Sequence, residues 1–420
     1  MTRNGGNNSP RGIRSQLTRR QLVQDAALGA GALAVGTLGL PRAARAANEI
    51  NFWATGTLDI GDDGWKIFSN ESGVKVNFAD NGNDPSPVVA KMAAGNANDI
   101  YDVGGLQGGS EKELAKRGLI APWDLSQIPN YTSLWQWAKD IPYLTYEGKI
   151  YGIPTVINAD SMIVLKDKVG SVDSYGVVFD PKLKGKTAME DAWINTATFT
   201  AIYLKNSENA KIAEPGNLTA DELGLVMEFL IKHKKEGQFR TFWNGWEQGL
   251  QLVANEEVWV MTGWEPIVYA ARNRGVDCYY AIPKEGYEAW GNNAILLRGA
   301  VDRGLSKTAH QFANALLSGF YGCKLGAQRG YFVPTDNNLA YATADSGAFD
   351  PANVKELGEH VKAKFAGKVY WQNTRPDNFQ LYEQWWQRLR NAQCPTTKWP
   401  VAGGEWRSSS RCHRSWSSSV

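Results

Sequence analysis

The residue types that most often carry catalysis are sparse and scattered in this sequence. The four histidines, His233, His310, His360 and His413, stand far apart, and none has a second histidine three or four residues away. No serine occupies a Gly-x-Ser-x-Gly turn, the arrangement that exposes the nucleophile of many hydrolases. Because a nucleophile needs a base within reach and a metal site needs clustered ligands, this spacing favours a protein that is not an enzyme.

Adjacent carboxylates could act as acid and base, and they occur at Asp62-Asp63, Glu190-Asp191 and Glu256-Glu257. Such pairs are also common on solvated surfaces and carry little specificity alone. We therefore expect no catalytic centre, no metal and no cofactor.

The aromatic content points to binding. The chain has 17 Trp, 16 Tyr and 14 Phe in 420 residues. Most tryptophans are expected in cores and interfaces, but several could line a ligand site, since their ring faces attract cations.

Alternating apolar patterns and helical periodicities predict the elements that must position these residues. Thr219 and Glu222 form a capping box that opens a helix ending at Gly237. Strands are predicted at 50–53, 74–76, 100–103, 258–261 and 279–283, and further helices at 88–94, 306–320 and 378–390. Strands alternating with helices indicate an α/β protein, and this length favours two domains.

The N-terminus has the order of an export signal. Arg19-Arg20 precedes an apolar run over residues 26–40, followed by the small-residue pattern Ala44-Arg45-Ala46. The run is short for a membrane span, and the paired arginines are typical of twin-arginine signals. The sequence predicts cleavage near Ala46, a mature start near Ala47 and a periplasmic location.

Charge argues against a polyanionic partner. The first 46 residues carry seven Arg and one Asp, so the remainder has 38 Lys and Arg against 42 Asp and Glu, a formal charge of −4. Nucleic acids and anionic membranes both require a basic face, so neither is expected to bind the folded part.

Two smaller features complete the organisation. The four cysteines, Cys278, Cys323, Cys394 and Cys412, are spaced too widely for a metal-ligand pair, and we expect buried free thiols.

After Gln393 the composition shifts to Ser, Arg and Trp without apolar periodicity, which predicts a disordered tail over 394–420.

The order of several segments resembles the periplasmic solute-binding proteins of ABC importers. The segments that resemble this family as a whole are Tyr101-Asp102-Val103, Lys116 to Ile120, and Gly148 to Pro154. Later segments are similar to the spermidine/putrescine-binding subgroup. They are Met261 to Trp264, Ile282 to Gly286, Gly330 to Thr335, and Trp371-Gln372-Asn373.

The resemblance implies a two-lobed periplasmic-binding-protein fold of type II, with a mixed sheet flanked by helices in each lobe and a ligand cleft between the lobes. Its partners would be a small solute and the membrane permease of an ABC importer, and we expect a monomer without nucleic acid. The implied segments are 47–156 plus 278–337 for lobe 1, 157–277 plus 338–393 for lobe 2, and 154–158 with 277–281 for the hinge.

The resemblance also implies a site of aromatic rings, amides and carboxylates. Rings would lie along the methylene chain of a polyamine such as spermidine or putrescine, and carboxylates would bind its ammonium ends. The residues expected to contact the ligand are Trp53, Gln107, Asp191, Trp264, Glu265, Trp290, Asn292, Tyr331 and Gln372.

Three departures from the subgroup leave the solute open, and one is the replacement of its Ser/Thr-Tyr element around Leu106-Gln107-Gly108. Asn292 stands where the subgroup has a second carboxylate, and Ile194 stands where another acid is expected. Glu265, Asp102 or Glu190 could supply the displaced charge, while Asn292 suits a neutral or hydroxylated group equally well. A receptor for another polar solute, an exported enzyme on this scaffold, and a signalling or adhesion protein with exposed Trp patches are the alternatives.

Overall fold

The computed structural model describes residues 48–82, 85–344, 347–393, 396–400 and 406–410. The predicted export signal, with its twin arginine and cleavage site, lies outside these residues. No helix in the described ranges combines the length and apolarity that a membrane crossing requires. The described ranges also contain no group of three or more His, Cys, Asp or Glu side chains that could hold a metal ion.

Fifteen strands are described. They are β1 (Glu49–Ala54), β2 (Lys75–Asp80), β3 (Val103–Gln107), β4 (Ile120–Ala121), β5 (Thr145–Tyr146), β6 (Lys149–Ile150), β7 (Gly152–Leu165), β8 (Thr187–Glu190), β9 (Phe239–Trp243), β10 (Val260–Gly263), β11 (Cys278–Tyr280), β12 (Tyr287–Leu297), β13 (Val369–Trp371), β14 (Thr396–Pro400) and β15 (Trp406–Ser410).

Sixteen α-helices are described with them. They are α1 (Gly61–Ser72), α2 (Pro85–Ala93), α3 (Asn96–Ile100), α4 (Glu111–Lys116), α5 (Gln136–Lys139), α6 (Lys166–Val169), α7 (Trp193–Asn206), α8 (Ala220–Lys235), α9 (Trp246–Ala254), α10 (Pro266–Arg272), α11 (Arg298–Asp302), α12 (Ser306–Leu316), α13 (Phe320–Arg329), α14 (Asn337–Ala344), α15 (Pro351–Phe365) and α16 (Phe379–Asn391).

Eleven of the described strands join into one sheet through two long central strands. The strand order is β2-β1-β3-β12-β7-β10-β8-β9, with β4 and β13 paired to β12 and β11 paired to β7. β1 is parallel to β2 and β3, and β8 is parallel to β9 and β10, whereas β12 and β7 are antiparallel to their neighbours on this path. The sheet is therefore mixed, as predicted.

The strand β7 passes from one group of strands to the other. Residues 152–160 pair with β12, and residues 161–165 pair with β10 and β11. All fourteen residues of β7 are buried, and so are all eleven of β12. Strands buried on both faces carry nearly continuous apolar runs, and any charged residue inside them needs a specific reason.

Separate hydrophobic cores lie on either side of these two strands. The first core combines β1, β3 and α12 with the start of β7 and includes Phe52, Val156 and Phe312. Two further cores include residues 162–276 and the inner face of α16, which buries Tyr382, Trp386 and Leu389. The segment after residue 337 also touches the first core, through Tyr341 and Phe349. The predicted lobe and hinge boundaries stay a prediction.

A smaller hydrophobic cluster packs α15 against the central strands β7 and β12. Ile157, Ala159 and Ala289 pack there with Val361 and Phe365. It anchors α15 beside the point where β7 changes partners, which positions the side chains of α15 near the cleft described below.

The predicted helices and strands are largely confirmed. The capping box is present, since the Thr219 hydroxyl accepts from the Glu222 amide and the Glu222 carboxylate accepts from the Thr219 amide. It satisfies backbone donors that a helix start leaves unpaired. The predicted helix at 378–390 is observed at 379–391, because its apolar residues fall on one face.

The prediction of a wholly disordered tail is wrong in part. Strands β14 and β15 pair antiparallel, with Thr396 opposite Ser410. A strand pair makes its hydrogen bonds between backbones, so it does not need the apolar period whose absence suggested disorder. The remainder of 394–420 lies outside the described residues.

The prediction of free thiols is confirmed where the structure describes it. Cys278 and Cys323 are both buried and free. Cys394 and Cys412 lie outside the described residues.

Candidate ligand-binding cleft

Several polar and aromatic residues that could bind a ligand lie at or directly after the ends of strands. β8 ends at Glu190 and β10 ends at Gly263, directly before Trp264, while β3 ends at Gln107. β7 and β12 lie between β10 and β3 in the strand order. The carboxyl ends of parallel strands are where open α/β sheets bind ligands.

A cavity of about 750 Å³ opens in this region and is called the solute cleft below. Four aromatic residues line it, namely Trp246, Trp264, Tyr269 and Tyr331. Asn158 of β7 and Glu265 also lie on its wall. The remaining lining residues are Pro266, Gly326, Gln328, Arg329, Gly330, Asn353, Glu356, Leu357, His360 and Val361.

Trp290 connects the cleft wall to a buried acid. Its ring meets the ring of Tyr331 edge to face, with centroids 5.5 Å apart and planes at 85°. Its indole Nε1 donates a hydrogen bond of 2.8 Å to Oδ2 of Asp160. Trp290 is 8% exposed, so it supports the cleft from beneath Tyr331 and fixes the carboxyl of Asp160.

Three carboxyl groups, called the acid group below, lie near one another, and none of them lines the solute cleft. Asp160 of β7 and Glu288 of β12 are opposite residues in the antiparallel pair, so their side chains share one sheet face. Both are buried, at 2% and 0% exposure. The third member, Glu190 at the end of β8, is half-buried.

The acid group has unmet hydrogen-bonding capacity. Both carboxyl oxygens of Glu288 and Oε2 of Glu190 are buried without a hydrogen-bond partner, and so is the Thr262 hydroxyl of β10. Asp160 accepts from Trp290 and, at 3.4 Å, from the Tyr280 hydroxyl. Buried polar atoms nearly always form hydrogen bonds, so these oxygens without a partner indicate that a binding partner is missing.

Burial raises the pKa values of all three acids. It raises the pKa of Asp160 to about 7, although the charge of Lys364 and the Trp290 hydrogen bond lower it. Burial, followed by the charges of Asp160 and Asp191, raises the pKa of Glu190 to about 8. Burial, then Asp160 and Glu190, raises the pKa of Glu288 well above its usual range. The acid group therefore holds protons at neutral pH unless a cation approaches.

The Tyr331 hydroxyl lies close to the same acids. Burial raises the pKa of Tyr331, and the charges of Asp160 and Glu190 raise it further. Tyr331 also lines the solute cleft, so it connects the cleft wall to Asp160 and Glu190.

Glu265 is the buried carboxylate on the cleft wall, and it is already paired inside the protein. Its Oε2 accepts from the Lys364 ammonium at 2.7 Å, and its Oε1 and Oε2 lie 2.9 and 3.0 Å from His360 Nε2. Burial alone would raise the pKa of Glu265, but the His360 hydrogen bond and the Lys364 charge outweigh it and lower that pKa to about 2.

A chain of hydrogen-bonded amide side chains links three parts of the fold. Gln107 Nε2 donates to Gln372 Oε1 at 2.5 Å, and Gln372 Nε2 donates to Asn195 Oδ1 at 3.0 Å. Asn195 belongs to α7, and Gln372 is 1% exposed. The chain ties the end of β3 to α7 through the segment after β13.

The structure places the nine expected ligand residues in different settings. Trp264, Glu265 and Tyr331 line the solute cleft, and Trp290 packs directly against Tyr331. Gln107 and Gln372 belong to the amide chain. Asn292 is 3% exposed on β12, two residues after Trp290, and its carbonyl accepts from Thr155.

Six of the nine do not line the solute cleft, and of these Asp191 and Trp53 have partners of their own elsewhere. Asp191 accepts a 2.8 Å hydrogen bond from Arg390 through Oδ2, which gives its charge a partner within the protein. Trp53 stacks on Tyr101 at 4.8 Å and 9°, with the Lys91 ammonium 4.8 Å from its ring. The role of each of the nine toward a ligand stays a prediction.

Sequence reasoning missed Asp160, Glu288 and Lys364. For Asp160 the available signal was a charged residue inside the mainly apolar segment Ile157 to Val164, because such a charge needs a partner or a proton. Glu288 stands two residues before Trp290, whereas the resemblance placed an acid two residues after it.

A second, larger groove of about 1050 Å³ lies beside α4 and α16. Its wall carries both signs of charge, with Lys112 and Arg375 near Glu113 and Asp377. Arg375 Nε is 3.5 Å from Glu113 Oε2, so part of this charge is paired. The three acids of the acid group do not line this groove.

The comparison with protein families decides the class. A model of the bacterial extracellular solute-binding proteins matches residues 65–320. The chain belongs to this family. The predicted class, a solute receptor, is thereby confirmed.

Characterised relatives of this solute-binding protein are distant. It is 23% identical over 361 residues to spermidine/putrescine-binding periplasmic protein 1 of Haemophilus influenzae, covering 84% of this chain and 92% of that one. It is 22% identical over 367 residues to the spermidine/putrescine-binding periplasmic protein of Salmonella typhimurium, covering 86% and 97%.

Solved structures share the fold of this solute-binding protein. The spermidine/putrescine substrate-binding protein PotD of Streptococcus pneumoniae superposes with a TM-score of 0.64 at 12% identity, covering 82% of this chain and 98% of that one. The Tp0655 lipoprotein of Treponema pallidum gives a TM-score of 0.61 at 16% identity, covering 81% and 99%. The predicted α/β fold of type II periplasmic-binding proteins is confirmed.

Proposed function

We propose that this solute-binding protein captures a small organic cation of the polyamine-like class and delivers it to the permease of an ABC importer. The observation that carries the proposal is the acid group of Asp160, Glu190 and Glu288. Within the described residues, three carboxyl oxygens of this group and the neighbouring Thr262 hydroxyl are buried without a hydrogen-bond partner.

The energetics favour a cation over a neutral solute. An ionised carboxylate is costly to bury unless it is paired, and three adjacent acids repel one another when charged. An ammonium group that enters the site offsets this repulsion and donates hydrogen bonds to the carboxyl oxygens that have no partner within the protein. A sugar hydroxyl could accept or donate there but would leave the repulsion in place.

The aromatic rings fit the rest of such a solute. Tyr331 and Trp264 present rings to the solute cleft, and rings attract ammonium groups and pack against methylene chains. The relatives named as spermidine/putrescine-binding proteins support the same solute class.

Delivery requires export and a change of shape. We infer that residues 1–46 direct export by the twin-arginine route and that the predicted lobes close around the solute by bending near β7. Closure would follow from ligand contacts to both lobes, since a ligand shifts an equilibrium only by binding one state better. The solute is returned intact, so the protein is proposed not to be an enzyme.

Titration calorimetry with putrescine, spermidine, cadaverine, glucose and glutamate tests the solute class. We expect at least one amine to bind and the neutral and acidic solutes not to bind. Glu288→Gln should weaken amine binding more than tenfold. Glu383→Gln is the matched control, because Glu383 is exposed on α16 and does not line the solute cleft, and it should change the affinity less than threefold.

Two results would contradict the proposal. One is binding of glucose or glutamate with no binding of any amine. The other is equal amine affinity in wild type and Glu288→Gln. Mass spectrometry of the solute after incubation checks that it is released unaltered, which an enzyme would not do.

A further inference from the structure

Lys364 is a buried ammonium group beside the solute cleft. Its side chain is 3% exposed. Its Nζ donates to Glu265 Oε2 at 2.7 Å, to Asn158 Oδ1 at 2.9 Å and to the Ala159 carbonyl at 3.0 Å. An ammonium has three donors, and all three are used.

This coordination is what a bound alkylammonium would need. The Lys364 ammonium also lies 5.1 Å from the ring of Tyr280, whose hydroxyl is 3.4 Å from Asp160. One carboxylate, amide and carbonyl oxygens, and an aromatic ring therefore surround a cation that the protein supplies itself.

The consequence is that Glu265 is not available to a solute. It lines the solute cleft, yet its oxygens are bonded to Lys364 and His360. The other charges on the cleft wall, Glu356 and Arg329, are exposed and opposite in sign, so they contribute little.

We propose that Lys364 determines specificity by taking the place of one ligand ammonium. The solute cleft then needs only one ammonium end, at the acid group, and accepts an uncharged far end toward Trp264 as well as a charged one. This inference rests on the proposed function, because it assumes that amines bind in the solute cleft.

The wild-type protein gives the first test. Putrescine and N-acetylputrescine have the same carbon chain but two and one ammonium groups. We expect calorimetry to give N-acetylputrescine a dissociation constant within threefold of that for putrescine. A preference for putrescine above about thirtyfold would overturn the inference, because it would require a second free carboxylate.

Lys364→Met gives the second test by removing the ammonium and leaving Glu265 free. We expect the preference for putrescine over N-acetylputrescine to rise at least tenfold. Lys362→Met is the matched control, since Lys362 lies on the same helix and bonds Asp336 at the surface. It should leave the preference unchanged.

The double variant Lys364→Met/Glu265→Gln guards against misfolding, because it leaves no unpaired buried charge. We expect it to keep the wild-type preference. A tenfold rise in the double variant, or an unchanged preference in folded Lys364→Met, would refute the role of Lys364. Absence of binding by both amines to wild type would instead refute the proposed function.

Discussion

Asp160 and Glu288 face each other across the two central strands of the sheet, and both are buried. Like charges directly opposite in a strand pair are destabilising. Within the described residues, Lys364 is the cation that lowers the pKa of Asp160, and it is already bonded to Glu265. If the proposed function holds, this buried acid pair is the place where a cation binds, and its charges would destabilise the empty protein when both acids are ionised.

The first prediction concerns the pH dependence of solute binding. The pKa values of Asp160 and Glu190 stand at about 7 and about 8 in the empty protein, so both acids hold protons at pH 6. A bound ammonium favours the ionised form, so binding should release protons and strengthen as pH rises. We expect putrescine affinity to increase at least tenfold from pH 6 to pH 8.5.

Calorimetry in buffers with different ionisation enthalpies measures this release directly. We expect about one proton released per amine bound at pH 7. Proton uptake, or affinity that does not change with pH, would contradict the assignment of these acids to the site.

The second prediction concerns the stability of the empty protein. The pKa of Asp160 is raised from 3.8 to about 7 on folding, so the folded state binds the proton more strongly. This contribution to stability is complete below about pH 4 and is lost as pH rises through about 7. It amounts to at most about 4 kcal/mol.

Asp160→Asn should remove this loss, because an amide stays neutral and can still accept from Trp290. We expect urea unfolding to show the variant more stable than wild type at pH 8 by about 1 to 3 kcal/mol, and about equal at pH 4.5. An equal effect at both pH values would show that the charge of Asp160 is not the cause.

The third prediction concerns the indole of Trp290. Trp290→Phe keeps a ring against Tyr331 but removes the 2.8 Å hydrogen bond to Asp160. We expect the affinity for putrescine to fall about tenfold, because the carboxyl loses its fixed orientation. Trp385→Phe is the control, since Trp385 lies on α16 and does not line the solute cleft, and it should change the affinity less than threefold.

Local elements were predictable from the sequence because their signals are local. Thr219 with Glu222 located a helix start, and the spacing of Tyr382, Trp386 and Leu389 located a helix face. These patterns depend on hydrogen bonds and burial within a few residues.

The acids of the site were not predictable in the same way. Asp160 and Trp290 are 130 residues apart in sequence, and only the pairing of β7 with β12 brings them together. Lys364 lies on a helix with Lys362, and nothing in the sequence distinguishes the buried lysine from the exposed one. Family resemblance found Trp290 and Tyr331, because it transfers positions rather than contacts.

The last prediction concerns the amide chain that joins β3 to α7. Gln372 accepts from Gln107 and donates to Asn195, and its 1% exposure means that water cannot replace either bond easily. Gln372→Ala should leave the buried Asn195 amide and the half-buried Gln107 amide unpaired and weaken the link between β3 and α7, which the proposed closure would bring together. Since an unpaired buried polar group costs about 1 to 3 kcal/mol, we expect putrescine affinity to fall about five- to hundredfold. Gln380→Ala, at an exposed position of α16, is the control and should leave affinity unchanged. Equal affinities in wild type and folded Gln372→Ala would show that the chain only supports the fold and plays no part in holding the solute.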